Sequence, residues 1–86
     1  MSDITELKAH LAAIAREAKD ATQGLEAGKT RINKTVVMAN ATVSGTAKNV
    51  HSAIISSLTM AQRKIDESVR ALQAAASEAT KYAAEL

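Results

Sequence analysis

Apolar and small residues recur along the first half of the chain at strictly alternating steps of three and four: Ile4, Leu7, Leu11, Ile14, Ala18, Ala21, Leu25, Gly28, Ile32, Thr35, Ala39 and Thr42. A repeat averaging 3.5 residues marks a helix that keeps one seam turned toward a neighbouring helix, as in a coiled coil. The pattern breaks at Val43, Ser44, Gly45 and Thr46, where glycine suits the end of one helix and Ser44 or Thr46 can cap the next. A second seam of the same period then runs Ala47, His51, Ile54, Leu58, Ala61, Ile65, Ser68, Leu72, Ala75, Ala79, Tyr82 and Leu86. The chain is therefore expected to be all-α and a single domain over 1–86, with helices at 3–42 and 46–85 joined by a turn at 43–45. Asp3 with Glu6 three residues later has the form of a capping box at the first helix start.

Two seams of equal length suggest an antiparallel hairpin. Folding at the turn pairs residues whose numbers add to 89 or 90, which sets Leu7 against Tyr82, Leu11 against Ala79, Leu25 against Ile65 and Ile32 against Leu58. Tyr82 is then an end plug. Two alternatives are weaker. Gly24 and Gly28 would make a poor loop without Pro, Asn or Asp around them, and the Thr35-Val36-Val37 run keeps helical spacing with no second strand to pair with.

Composition argues that one hairpin is not enough. Apolar residues make up 47% of 86 residues, but 19 of them are alanine, and Phe, Trp, Pro and Cys are absent. Ordering costs roughly 1.5 kcal/mol per residue, and burial returns roughly 25 cal/mol per Å², so methyl groups alone hold a thin interior poorly. Nine large apolar residues fall off the seams, and Val36, Val37, Met38, Val43, Val50, Ile55 and Met60 cluster around the turn. The expectation is a four-helix bundle, formed as a homodimer or with another helical hairpin. Leu11, Ile14, Leu25, Ile32, Val36, Ile54, Leu58, Ile65 and Leu72 are the residues expected to carry the assembly.

The net charge is only +2, yet no acidic residue lies between Glu26 and Asp66, a stretch holding Lys29, Arg31, Lys34, Lys48, Arg63 and Lys64. The turn end is basic and the open end acidic, which favours antiparallel packing of two hairpins. The basic tip of Lys29, Arg31, Lys34 and Lys48 also offers an alternative function, binding an anionic membrane or nucleic acid. Sparse cations and the lack of interleaved aromatics count against both.

No chemistry-bearing constellation stands out. Glu6 and His10 share a helix face without a third metal ligand, and His51 reads as a seam histidine. No nucleophile sits in a strand–turn–helix setting and no glycine-rich phosphate loop is present. No catalytic, metal or cofactor site is expected, and a non-enzymatic, protein-binding role follows. Asn33-Lys34-Thr35 and Asn40-Ala41-Thr42 match the glycosylation pattern without a secretory signal upstream, so the chain is expected to be made in the cytosol.

A short chain, an alanine-rich helix, a central turn with Ser44-Gly45 and a second helix of equal length resemble the WXG (ESAT-like) family of type VII secretion proteins. Leu25-Glu26-Ala27-Gly28-Lys29 and Val43-Ser44-Gly45 carry the likeness, with Val43 standing where that family has its tryptophan. The resemblance implies an antiparallel hairpin dimer acting as a secreted partner, or as an adaptor or targeting factor for a larger effector. It also implies export by a route that needs no signal peptide.

Overall fold

The computed structural model describes residues 2–41 and 48–86, and consists of two long helices packed side by side. Helix α1 runs Ser2–Ala41 and α2 runs Lys48–Glu85. The turn at Val43, Ser44 and Gly45, and the ends of both expected helices nearest to it, lie outside the described residues. The hairpin is a rod of 69 × 15 × 13 Å. Helix α1 starts at Ser2, so Asp3 stands inside the first turn, where its charge suits the positive end of the helix dipole.

Helix α1 passes through Gly24 and Gly28 without a break, and through Thr35-Val36-Val37 as well. Its threonines are accommodated by returning their hydroxyls to the preceding turn. Thr22 Oγ1 donates to the Ala18 carbonyl at 2.9 Å, Thr30 to Glu26 at 3.2 Å and Thr35 to Arg31 at 3.0 Å.

The seam differs from the expected one in a regular way. One residue per heptad is placed as anticipated: Leu11, Ala18, Leu25, Ile32 and Ala39 on α1, and His51, Leu58, Ile65, Leu72 and Ala79 on α2 all face the partner helix. The other half of the seam lies four residues after each of these anchors instead of three. Ala15, Thr22, Lys29 and Val36 are half-buried on α1, as are Ile55, Gln62, Val69, Ala76 and Ala83 on α2. Ile14, Ala21, Thr35, Ile54, Ser68, Ala75 and Tyr82, expected inside, are exposed, whereas Gly28 and Ala61, expected there too, are half-buried.

Both frames share a 3.5-residue period and the same anchors, so spacing does not choose between them. The observed frame brings Lys29 within reach of Asp66 and Gln62 within reach of Asn33. A polar residue at the seam costs little when it finds its partner across the interface.

Register is the second correction. The two cross-helix polar contacts, Lys29 with Asp66 and Asn33 with Gln62, each join residues whose numbers add to 95. The helices are thus displaced by about 8 Å along the rod from the expected alignment, given 1.5 Å per residue. Residues of α1 before about position 9 then lie beyond the end of α2, and Ile4 remains 49% exposed despite its anchor phase. Tyr82 is not an end plug against Leu7, since both side chains face outward.

Candidate functional site

Among the described residues only Ala18 and Ala79 are buried, and no large side chain is fully enclosed. The two most deeply buried seam residues are alanines, so the interior between the helices is thin. Ten large apolar side chains are between 38% and 67% exposed. Of the nine residues expected to carry the assembly, four need comment. Ile14 and Ile54 lie outside the seam, whereas Val36 lies in it, and Leu11 is half-buried near the open end. Leu25, Ile32, Leu58, Ile65 and Leu72 occupy the seam as half-buried residues.

The rod has two unlike flanks. On one, the residue after each anchor is mostly polar: Lys19, Glu26 and Asn33 on α1, and Thr59, Asp66, Gln73 and Thr80 on α2. The Lys29 ammonium donates to Asp66 Oδ1 at 2.6 Å, with both side chains about two-fifths exposed, and the Gln62 amide donates to Asn33 Oδ1. Shallow grooves on this flank are bordered by Lys19, Gln23 and Gln73 near the open end and by Glu26, Lys29 and Asp66 further along.

On the other flank, the positions three after each anchor carry no charge from end to end. They are Leu7, Ile14, Ala21, Gly28 and Thr35 on α1, and Ile54, Ala61, Ser68, Ala75 and Tyr82 on α2. Met38 and Val50, one residue before an anchor, border the same flank. Six of the ten exposed large apolar residues therefore gather here: Leu7, Ile14, Met38, Val50, Ile54 and Tyr82. Val37 and Met60 face elsewhere. The sequence reading placed Leu7, Ile14, Ile54 and Tyr82 inside the hairpin, and had only Met38 and Val50 off the seam.

The basic tip changes too. Lys29 is paired with Asp66 on the polar flank, while Arg31, Lys34 and Lys48 are exposed. The four therefore do not form one face. Lys64 pairs loosely with Glu67 at 3.8 Å. Among the described residues no group of three or more His, Cys, Asp or Glu is placed to hold a metal, and neither helix is long and apolar enough to cross a membrane. Compared with protein-family models, curated proteins and solved structures, the chain matches none of them.

Proposed function

We propose that this chain is a non-enzymatic, protein-binding hairpin that works by covering its uncharged flank with another helical hairpin. The observation that supports this reading is the ratio of enclosed to exposed apolar residues: two buried alanines against ten exposed large side chains. Soluble monomers seldom leave contiguous apolar surface of this kind open, and such patches mark interaction sites. Helical shape and flank together suit four-helix packing, in which each hairpin supplies the wall the other lacks.

In biological terms the reading stays close to the WXG (ESAT-like) resemblance. The chain acts as a partner, adaptor or targeting factor for a larger type VII secretion effector, and is itself exported without a signal peptide. Co-expression with the products of neighbouring genes, followed by native mass measurement, tests the binding role. A stoichiometric helical complex, homomeric or heteromeric, is expected. A chain that stays at its 9.0 kDa monomer mass with every neighbour and with itself contradicts it. The export claim is tested separately, by whether the chain reaches the medium only when the type VII apparatus is intact.

A further inference from the structure

We propose that the uncharged row, three residues after each anchor, is also a second seam, and that the hairpin turns it inward by rotating both helices about 50°, hiding the surface through which it binds. The inference rests on the protein-binding reading above and goes further, in naming how that surface is closed.

The first support is geometric. Each anchor is followed by two rows, one four residues on and one three residues on. A helix turns about 100° per residue, so the two rows lie on either side of the anchor, and facing the partner helix with one or the other differs by half that angle. The anchors stay inside in both arrangements. Among them are Ala18 and Ala79, the two buried residues, so the rotation dismantles no packed core.

The second support is that the alternative seam closes in layers. Turned inward, Ile14 meets Ala79, Ala21 meets Leu72, Gly28 meets Ile65 and Ala61 meets Ile32, each pair of numbers adding to 93. A large side chain faces a small one in all four, as close packing favours. The contacts Lys29–Asp66 and Asn33–Gln62 add to 95. The two arrangements therefore differ by a slide of about 3 Å at 1.5 Å per residue, which leaves each helical turn beside the same turn of its neighbour.

The two rows are also evenly matched. Val36, Ile55 and Val69 are half-buried in the observed row, and Leu7, Ile14, Ile54 and Tyr82 stand exposed in the other. The observed row further holds Lys29 and Gln62, which the rotation would return to the polar flank and water. What selects the observed seam is the pair of ties Lys29–Asp66 and Gln62–Asn33, partly exposed contacts that each contribute little. Two packings on one set of anchors, separated by weak ties, make a bistable element.

The third support is local. Along most of the rod the observed row is half-buried and the other exposed. At Gly28 with Lys29, and at Ala61 with Gln62, neighbouring members of both rows are half-buried together. The middle of the rod thus stands between the two arrangements. Gly28 fits the same account. A Cβ added there would meet nothing within 4 Å, so the observed seam has no need of a residue that weakens a helix relative to alanine. In the alternative seam it is the small member of the layer with Ile65.

Ala75 and Ala76 read the rotation directly, because they stand one in each row, Ala75 exposed and Ala76 half-buried. Ala75→Cys and Ala76→Cys, made separately in this cysteine-free chain, each give a thiol whose rate of maleimide labelling reports its row. Without further change the Ala75→Cys thiol should react faster. Lys29→Glu with Gln62→Glu then sets two carboxylates in the observed seam near Asp66, where unpaired charge is costly, whereas the alternative seam returns both to water. This pair should reverse the order, with Ala76→Cys sped by about tenfold or more and Ala75→Cys slowed, while helical ellipticity is kept. An unchanged order in a helical chain overturns the inference.

Should the acidic pair unfold the chain, Thr35→Leu with Ser68→Leu decides. It enlarges the uncharged row alone and should produce the same reversal, and an unchanged order there overturns the inference. Slower labelling of Ala75→Cys without faster labelling of Ala76→Cys is what a docked second hairpin would give, and it too overturns the rotation while leaving the protein-binding reading standing. Reversal in a chain that binds no other hairpin contradicts that reading and leaves the second seam in place.

Discussion

The two flanks of the rod begin from the same seam and end in different chemistry. Moving one residue on from each anchor gives a flank of Lys, Glu, Asn, Asp, Gln and Thr, tied across the helices by Lys29–Asp66 and Asn33–Gln62. Moving three residues on gives an uncharged row with four large apolar residues, Leu7, Ile14, Ile54 and Tyr82, edged by a row that holds Met38 and Val50 together with Glu17, Arg31, Lys64 and Glu78. The first flank is finished, because its polar groups are satisfied within the hairpin or face water. The second is open, because none of the described residues covers it. A 3.5-residue repeat thus builds the pairing of two helices, while the residues beside it make one side of the rod polar and leave the other with an uncharged row.

Substitutions separate the two regions by the size and kind of their effects. The largest loss should come from the seam itself. Leu58→Asp places a carboxylate in an apolar interface and removes a leucine from it, for about 3 kcal/mol or more. Helical ellipticity at 222 nm should collapse at room temperature, since so thin an interior has little stability to spare. Ala79→Leu comes next. With Ala79 only 7% exposed, the larger side chain would wedge the helices apart at a cost of about 1–3 kcal/mol, read as a lower thermal midpoint.

The flanks themselves should then part company. Ile14→Asp on the uncharged flank should weaken association with another hairpin by about tenfold or more, by analogy with hot-spot losses, whereas Gln73→Asp on the polar flank should leave it within about twofold. Sedimentation velocity on both variants checks this, and equal effects would erase the distinction drawn here. Smallest is the Lys29–Asp66 pair. It is about two-fifths exposed on both sides, so a double-mutant cycle through Lys29→Ala and Asp66→Ala should return a coupling below about 1 kcal/mol, shrinking in high salt.

Much of the fold could be read from the sequence, and the reason is periodicity. The absence of proline and the long 3.5-residue repeat located both helices, and Leu11, Ala18, Leu25, Leu58, Leu72 and Ala79 were placed on the seam correctly. The repeat could not tell Ile14 from Ala15, or Ile54 from Ile55, because a step of three and a step of four from one anchor lead to the same next anchor. Hydrophobicity favoured Ile14 over Ala15, and the structure turns Ile14 outward. Register was equally hidden. A seam of Leu, Ile and Ala matches itself at several offsets, and the contacts that distinguish them, Lys29 with Asp66 and Asn33 with Gln62, involve residues that look like ordinary surface positions in the sequence. The uncharged flank emerged only after the seam was corrected, since Leu7, Ile14, Ile54 and Tyr82 are interior in the frame that hydrophobicity favours.

The claim that the rod works by pairing with another hairpin is tested most directly by measuring the mass and helicity of the unaltered chain together across a dilution series, alone and with the products of neighbouring genes. The account predicts a complex heavier than the 9.0 kDa chain at tens of micromolar, with helical signal falling as dilution separates the hairpins. A mass of 9.0 kDa at every concentration and with every neighbour, with helicity undiminished, would contradict it.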